Sequence, residues 1–373
     1  MRYYIITGEA SGDLHASSLI KELKCLDANA SFRCWGGERM KEQGGELVKH
    51  YRETAYMGFT DVILHSGKIL NLIKFCKRDI LSWNPDVVIL VDYPGFNLRI
   101  ARFAHNQGFR VIYYISPQVW AWKSSRIRKI KLYVDRMYVI LPFEKDFYSR
   151  HGYHVEYVGH PLLDAIEQTG AEDVVSFRSL HSPDGRPIIA ILPGSRKQEI
   201  LRILPIMLSV VHQFTDYQFV IAGLSALSTP FYHRIIASYP VRVVYDQTYA
   251  LLKSASAAMV TSGTATLETA LLGVPQIICY RGETLSYLIA RKLVRVPYIG
   301  LVNLIMEKKI VKELIQSNLN TDNLISELHQ ILEEGKRRSQ MLLDYQDMKL
   351  KLGGRGASAA TADLISRYLQ EIS

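Results

Sequence analysis

The sequence predicts an α/β protein made of two doubly wound domains with a cleft between them. Apolar, strand-like runs alternate with amphipathic helical patterns along most of the 373 residues, and this alternation is typical of parallel sheets with right-handed crossovers. A chain of this length is also too long to fold around a single hydrophobic core of typical size. We predict a first domain over residues 1–165, a second over 166–345, and a helical segment over 346–373. That segment packs across the domains or onto a partner subunit, which leaves a homodimer open.

The predicted strands are short runs rich in β-branched and aromatic residues. In the first domain they lie at 2–7, 31–36, 87–92, 110–115, 134–140 and 155–158. In the second they lie at 188–192, 218–222, 241–244, 256–260 and 275–280. A polar, irregular stretch that begins after 159–161 and ends in 181–187 is the predicted linker, and the helical tail from Asp322 is interrupted by glycines at 352–356.

The composition excludes several classes of protein. With 48% hydrophobic and 22% charged residues, the sequence is that of a globular protein. Its four cysteines are scattered without C-x-x-C spacing, so we expect reduced core thiols and no zinc site. The first residues have the pattern of a strand entering a glycine turn, and no apolar run reaches the ~20 residues of a membrane span. We therefore predict a cytoplasmic protein that can still touch a membrane surface.

The formal net charge of +9 predicts an acidic partner, either nucleic acid, anionic lipid or a phosphorylated substrate. Basic residues concentrate at 123–131, after two tryptophans, and again at 281–295. Both groups are equally compatible with solvated helix faces. Because no nucleic-acid-binding motif accompanies them, we expect no nucleic-acid partner and rank lipid phosphate above it.

Two loops in the second domain predict a site for a nucleotide diphosphate. The loops at 192–196 and 261–268 each follow a strand-like run and open a helical pattern, where backbone N–H groups and the helix dipole favour an anion. Arg196 adds a guanidinium suited to phosphate oxygens, and Glu268 adds a carboxylate that accepts hydrogen bonds from sugar hydroxyls. The predicted binding residues are Gly194, Ser195, Arg196, Ser262, Gly263, Thr264, Ala265, Thr266 and Glu268. Taken together the loops indicate a nucleotide-sugar site and a glycosyl transferase or close relative, whereas each alone also fits ordinary helix capping.

The first domain carries two candidate features at strand ends. The turn at 8–13, which includes Glu9 and Ser11, either admits an acceptor substrate to the backbone or only caps a helix. Asp92 ends the apolar strand at 87–92, and partial burial there would raise the pKa of its carboxyl group and suit a general base. Its competing role is capping of the helix that begins near Pro94.

Residues 56–81 mix apolar side chains at helical spacing with lysines. That pattern fits an interfacial membrane helix or an acyl-chain groove, and it also fits a core helix. The residues assigned here to the acceptor or membrane surface are Met57, Phe59, Ile69, Leu72, Ile73, Lys74 and Phe75.

The chain resembles the lipid-A-disaccharide synthases, which form glycosyltransferase family 19. The matching motifs run along nearly the whole chain, and the most specific is Ser-Pro-Gln-Val-Trp-Ala-Trp at 116–122. The others lie at 8–13, 57–58, 84–86, 141–144, 158–161, 192–196, 262–268 and 303–304.

The resemblance implies the GT-B architecture, two Rossmann-like domains of which the second holds most of the donor. It implies inverting transfer of 2,3-diacylglucosamine from UDP-2,3-diacylglucosamine to 2,3-diacylglucosamine 1-phosphate, which gives a β(1→6) disaccharide and UDP. It also implies a peripheral protein on the anionic, cytoplasmic face of the inner membrane. On this reading Asp92 is the general base, Arg196 stabilises the departing UDP, and Gln118 and Asn303 contact the donor. Since no D-x-D motif is present, we predict no metal and no cofactor.

Three other functions stay open at this point. An N-acetylglucosaminyl transferase acting on a lipid-linked acceptor would share Glu268 and the membrane surface. A UDP-sugar epimerase would share the nucleotide site without needing an acyl-chain surface. A non-catalytic nucleotide-sugar or lipid-binding protein is expected to have substituted catalytic positions, whereas Asp92, Arg196 and Glu268 are all present.

Overall fold

The computed structural model describes residues 1–54, 66–122, 125–168, 174–283 and 296–371. They form two compact units, each built around its own parallel sheet. Within the described ranges, unit 1 comprises Met1–Ala165 and Leu352–Ser373, and unit 2 comprises Ile166–Lys292 and Val296–Lys351. No helix in these ranges is long and apolar enough to cross a membrane.

Unit 1 contains a seven-stranded parallel sheet in the order β3-β2-β1-β4-β5-β6-β7. Its central strand β4 has the sequence Val-Val-Ile-Leu-Val and is buried throughout, as expected for a parallel strand covered on both faces. The strands are β1 (Arg2–Ile6), β2 (Ser31–Gly36), β3 (Glu46–His50), β4 (Val87–Val91), β5 (Arg110–Tyr114), β6 (Arg136–Val139) and β7 (Glu156–Tyr157).

Helices connect the strands of unit 1 and enclose its core. Large aromatic side chains fill much of that core, and Tyr4, Trp35, Tyr113 and Tyr148 are each less than 2% exposed. The last helix, α18 (Ala357–Glu371), packs along the first, α1 (Ala10–Leu26). The others in this part of the chain are α2 (Glu38–Glu42), α3 (Tyr51–Thr54), α4 (Ser66–Trp83), α5 (Pro94–Asn106), α6 (Val119–Trp122), α7 (Ser125–Tyr133), α8 (Pro142–Arg150) and α9 (Leu162–Gln168).

Unit 2 contains a six-stranded parallel sheet in the order β10-β9-β8-β11-β12-β13. Its strands are β8 (Ile188–Leu192), β9 (Gln218–Gly223), β10 (Val241–Tyr245), β11 (Ala255–Thr261), β12 (Gln276–Tyr280) and β13 (Lys312–Ile315). Its helices are α10 (Val174–His181), α11 (Lys197–Leu208), α12 (Thr229–Ile236), α13 (Thr248–Ser254), α14 (Thr264–Leu271), α15 (Leu301–Met306), α16 (Thr321–Leu332) and α17 (Lys336–Leu352).

Each sheet reverses its strand order at one place. In unit 1 the reversal lies between β1 and β4, where Ile6 pairs with Leu90. In unit 2 it lies between β8 and β11, where Leu192 pairs with Val260. Crossovers leave such a pair of strands toward opposite faces, so a crevice opens at their carboxyl ends and forms the usual ligand site of a doubly wound sheet.

The structure differs from the sequence-based expectation in two places. Strands β3 and β13 were not predicted. In addition, the predicted linker contains the boundary between the units, at Ala165 and Ile166, but its end at 181–187 lies inside unit 2, where Arg186 donates to the carbonyl oxygens of Thr215 and Tyr217 at 3.0 and 3.3 Å. A polar, proline-rich composition therefore marks a surface turn here, not a boundary between units.

Candidate active site

Asp92 lies at the carboxyl end of β4, in the crevice beside β1. The φ angles of 44° at Asp92 and 49° at Tyr93 place two consecutive non-glycine residues in the left-handed region, which is costly for L-residues. Hydrogen bonds hold this turn, because Asn97 Nδ2 donates to the Asp92 carbonyl oxygen at 2.8 Å and the Tyr113 hydroxyl donates to the same oxygen. The backbone that carries the candidate base is therefore fixed from two sides.

The environment of the Asp92 carboxyl group suits proton transfer. Its pKa is raised to about 7, mainly by burial and also by the charge of Glu9, while a hydrogen bond from the Tyr93 N–H acts to lower it. Tyr93, not Asp92, is the N-cap residue of α5. This placement favours the general-base interpretation over the capping interpretation, since a base works best with a pKa near the working pH.

Gly8 and Glu9 form the β1 side of the same crevice. A Cβ atom at Gly8 would lie 2.4 Å from Cγ of the Tyr93 ring, so only glycine lets that ring lie against the backbone. Glu9 is the N-cap residue of α1, yet its side chain makes no capping hydrogen bond. Ser11 follows in the first turn of α1 and is partly exposed. The turn thus places a second carboxylate near Asp92.

Asp13 has a structural role that sequence reasoning missed. Its buried carboxylate accepts hydrogen bonds from the N–H groups of Gly37, Met40 and Arg39 at 2.7, 3.2 and 3.3 Å. These groups lie at the start of α2, whose amino-terminal N–H groups have no intrahelical acceptor. Part of the 8–13 motif is therefore explained by folding alone.

Gln118 lies exposed in the loop after β5, and a buried carboxyl group beneath that loop was also missed. Glu144 accepts from Trp120 Nε1 at 3.1 Å and from the Leu141 N–H at 3.0 Å, and the second bond satisfies the backbone of the N-cap residue of α8. Burial raises the pKa of Glu144 to about 7, although these donors lower it. The conformation of the tryptophan-containing loop thus depends on a side chain 24 residues away.

His160 occupies a structural position. It is 2% exposed, and its Nδ1 accepts from the Leu162 N–H at 3.2 Å. Burial lowers its pKa to about 3, and nearby His15 adds to this lowering. A buried imidazole with so low a pKa takes up a proton only weakly, so His160 is a poor candidate for the general base.

In unit 2 the two predicted anion-binding loops lie side by side, because β8 and β11 are neighbours. In the first loop, a side chain of the helix that follows it occupies part of the backbone. The Ser195 N–H donates to Oε2 of Glu199 at 3.3 Å, and a Cβ atom at Gly194 would lie 2.2 Å from that oxygen. Arg196 is the exposed N-cap residue of α11. A phosphate at this loop would therefore meet the Arg196 side chain and compete with Glu199 for the backbone.

The second loop is more open. Gly263 is exposed, and a Cβ atom there would meet no atom within 4 Å among the described residues. The loop is held from within, because Ser262 Oγ donates to the Ile299 carbonyl at 3.1 Å and Thr266 Oγ1 donates to the Gly263 carbonyl at 2.8 Å. Thr264 and Ala265 open α14, and N–H groups in a first helical turn have no intrahelical acceptor. Backbone groups of this loop are thus the better phosphate donors.

Glu268 lies one turn into α14, beside the second loop. Tyr249 of α13 donates its hydroxyl to Glu268 Oε1 at 2.9 Å. Burial raises the pKa of Glu268, and the hydrogen bond from Tyr249 lowers it. The Glu268 side chain is partly exposed to solvent, so a carboxylate oxygen can still accept a hydrogen bond from a ligand.

Asn303, which was predicted to contact the sugar donor, is hydrogen-bonded within the fold. It is fully buried, and its Oδ1 accepts from the N–H groups of Ile310 and Val311, each at 2.9 Å. Its Nδ2 donates to the Val311 carbonyl and to Glu313 Oε1, again at 2.9 Å. With two donors and two acceptors engaged, this amide shapes the turn between α15 and β13.

The predicted acceptor or membrane surface divides into two groups on α4. Ile69, Leu72 and Ile73 face the core of unit 1, as a core helix requires. Lys74 is exposed, and so are Leu70, Phe75 and Leu81, at 54%, 38% and 46%. Met57 and Phe59 lie outside the described residues. The helix therefore serves as a core element and also carries an exposed apolar and basic side.

The remaining basic residues follow the ordinary pattern of a solvated face. On α7, Ile127 and Ile130 are buried, whereas Arg128, Lys129 and Lys131 are exposed. Arg281 is exposed, and the rest of the group at 281–295 lies outside the described residues. In the part of the chain that the structure describes, no group of three or more His, Cys, Asp or Glu side chains could hold a metal ion.

Solved structures share this architecture. UDP-GlcNAc 2-epimerase from Neisseria meningitidis, solved with UDP-GlcNAc, has a TM-score of 0.66 and 13% sequence identity, and the alignment covers 100% of both chains. The calicheamicin glycosyltransferase has a TM-score of 0.62 and 15% identity, with 100% of this chain and 99% of that chain covered. At such low identity these likenesses concern the fold alone. They confirm the predicted fold class, two parallel-sheet α/β domains of the GT-B type.

Sequence relatives give the family. The lipid-A-disaccharide synthetase family matches residues 3–364. Lipid-A-disaccharide synthase from Geobacter sulfurreducens is 37% identical over 374 residues, which cover 99% of this chain and 97% of the relative. The resemblance that the sequence motifs indicated is therefore confirmed, and the chain belongs to the lipid-A-disaccharide synthetase family.

Proposed function

We propose that this protein joins two acylated glucosamine units by inverting glycosyl transfer. The donor is UDP-2,3-diacylglucosamine, the acceptor is 2,3-diacylglucosamine 1-phosphate, and the products are a β(1→6)-linked disaccharide 1-phosphate and UDP. Family membership supports the reaction. The observation that carries the site assignment is the adjacency of the two loops after β8 and β11, with Glu268 one helical turn beyond.

Nucleotide binding is assigned to unit 2. The backbone N–H groups at the start of α14 and the Arg196 guanidinium would hold the diphosphate, since both are suited to phosphate oxygens. Glu268 would accept hydrogen bonds from the ribose hydroxyls. As the bond between the anomeric carbon and the UDP oxygen breaks, negative charge grows on the β-phosphate, and the same cationic and N–H groups stabilise it.

Proton transfer is assigned to Asp92 of unit 1. The acceptor 6-hydroxyl oxygen forms the new bond to the anomeric carbon while UDP departs with the electron pair of the old bond. The hydroxyl proton passes to the Asp92 carboxylate. The pKa of about 7 supports this role, because the ionised form is then present near neutral pH and the acid formed is a usable proton carrier.

We further propose that the protein meets its lipid substrates at an anionic membrane surface on the cytoplasmic side. The support is the exposed side of α4, where Leu70, Phe75 and Leu81 accompany Lys74 and Arg78. Apolar side chains between basic ones are suited to the boundary between acyl chains and phosphate headgroups. The net charge of +9 favours the same surface.

The purified protein should be incubated in detergent with both lipids and EDTA, and UDP and disaccharide followed by mass spectrometry. Product that requires both lipids is the expected result. Asp92→Asn is the inactive control, and Asp146→Asn, which changes an exposed carboxylate of unit 1, is the matched active control. Absence of disaccharide from the wild-type protein at every acceptor concentration would contradict the proposal.

A further inference from the structure

Tyr249 approaches the nucleotide site from a helix that the proposed mechanism does not use. Its hydroxyl donates to Glu268 Oε1 at 2.9 Å, and the two residues lie on different helices, α13 and α14. The contact spans 19 residues of sequence, so it is a tertiary contact, not a local one.

The helix that carries Tyr249 is firmly attached to unit 2. Ala250, Leu251, Leu252 and Ser254 of α13 are buried. Its last carbonyl, at Ser254, accepts from Nη2 and Nε of Arg178 at 3.0 and 3.3 Å. A hydroxyl on such an element has a well-defined position, which is what a positioning group requires.

A glutamate needs this kind of support to bind a diol. Its side chain turns about several bonds, and holding it in one rotamer costs conformational entropy that the ligand must otherwise supply. A hydrogen bond to Oε1 fixes the carboxylate plane in the free protein and leaves Oε2 as an acceptor. Tyrosine itself has few rotatable bonds, so it does this at low entropic cost.

We propose that Tyr249 is a positioning residue that orients Glu268 for the ribose hydroxyls and so increases the preference of the site for ribonucleotides over deoxyribonucleotides. This inference rests on the proposed function, because it assumes that Glu268 accepts from the ribose. The ligand class is a uridine diphosphate with an intact 2′-hydroxyl. Tyr249 itself touches neither the substrate nor the reacting atoms in this role.

The test is calorimetric titration of UDP and 2′-deoxy-UDP into the full-length protein and the variants Tyr249→Phe, Glu268→Gln and the double variant. Loss of one hydrogen bond predicts that Tyr249→Phe weakens UDP binding about 3- to 10-fold. Binding of 2′-deoxy-UDP, which keeps only the 3′-hydroxyl as a partner for Glu268, should weaken by a smaller factor. In the Glu268→Gln background, Tyr249→Phe should have a smaller effect, because the neutral amide oxygen is a weaker acceptor than a carboxylate for both the Tyr249 hydroxyl and the ribose.

Tyr245→Phe is the matched control. Tyr245 lies in the same unit, and within the described residues its buried hydroxyl has no hydrogen-bond partner. Tyr245→Phe should leave the affinities for UDP and for 2′-deoxy-UDP unchanged. Thermal unfolding of all variants tests whether the fold is preserved.

Three kinds of result would each reject a different assumption, and the titrations distinguish them. An equal loss for UDP and 2′-deoxy-UDP in Tyr249→Phe, or no loss, rejects the role of Tyr249 while nucleotide binding stands. Additive effects in the double variant reject action through Glu268. Wild-type protein that binds no UDP, or a Glu268→Gln variant with wild-type affinity, contradicts the proposed nucleotide site itself.

Discussion

The crevices of the two units share a topology and differ in charge. In unit 1 the ends of β1 and β4 bring together two carboxyl groups, and the charge of Glu9 adds to burial in raising the pKa of Asp92. In unit 2 the ends of β8 and β11 carry hydroxyls, backbone N–H groups and Arg196. The doubly wound topology therefore determines where a crevice lies, whereas the residues at the strand ends decide whether it is suited to a proton or to an anion.

Asp92→Asn breaks this comparison most severely. We expect turnover to fall by about 10²- to 10⁴-fold, the usual contribution of a general base. UDP affinity should be unchanged, because the assigned nucleotide loops lie in unit 2. Steady-state rates at saturating lipids and titration with UDP measure the two effects. A near-normal rate would exclude Asp92 as the base.

Arg196→Ala removes the cationic side chain from the crevice of unit 2. Hydrogen bonds to charged groups contribute about 1.5–3 kcal/mol, so the dissociation constant for UDP should rise roughly 10- to 100-fold. Calorimetric titration measures it. Arg202→Ala, an exposed change on the same helix, is the control and should bind UDP normally. Unchanged affinity in Arg196→Ala would reject the phosphate contact.

The pH dependence of the wild-type enzyme sharpens the comparison. The pKa of Asp92 is raised to about 7, so the active carboxylate is present above that pH and is lost as the pH falls through it. We expect kcat/KM to decrease about tenfold per pH unit on the acidic side. Glu9→Gln removes a neighbouring negative charge and should move the midpoint to lower pH. An acidic limb near the ordinary carboxyl pKa would contradict this assignment.

Gly8→Ala tests the packing behind the acidic crevice. Its Cβ atom would collide with the Tyr93 ring, and overpacking of this kind costs about 1–3 kcal/mol in the free energy of unfolding. Gly95→Ala is the matched control, since a Cβ atom there meets no described atom within 4 Å. Denaturant unfolding compares the two variants. Equal midpoints would show that the Tyr93 ring moves aside easily.

The buried strands of both sheets could be predicted because their sequences are continuous apolar runs, as in Val-Val-Ile-Leu-Val of β4. Strands β3 and β13 could not. Their sequences, Glu-Leu-Val-Lys-His and Lys-Glu-Leu-Ile, each contain only two adjacent apolar residues beside charged ones, and both strands lie at a sheet edge. Edge strands are half exposed and short, so their apolar signal is weak.

The residues of the candidate site also divide into those that could be predicted from the sequence and those that could not. Asp92 and the two glycine loops could be identified because each directly follows a recognisable strand. Glu199 could have been suspected from its place in the first turn of α11, where a carboxylate commonly caps the helix. Tyr249 could not, because its importance comes from a tertiary hydrogen bond to Glu268. Glu144 stands in the motif at 141–144 and in the first turn of α8, but its hydrogen bond to Trp120 leaves no signal in the sequence. Asn303 shows the converse, since a motif residue proves to be engaged within the fold.

Because α18 packs on α1, loss of the end of the chain would destabilise unit 1. Proteolytic removal of residues after Leu352 would take away the helix that packs along α1 and would expose the part of α1 that it covers. The unit affected would be unit 1, which carries Asp92, although the removed residues directly follow unit 2 in sequence. A trimmed protein would therefore be expected to retain nucleotide affinity while losing turnover. Any fragment meant to isolate unit 1 must supply this helix, in cis or as a separate peptide.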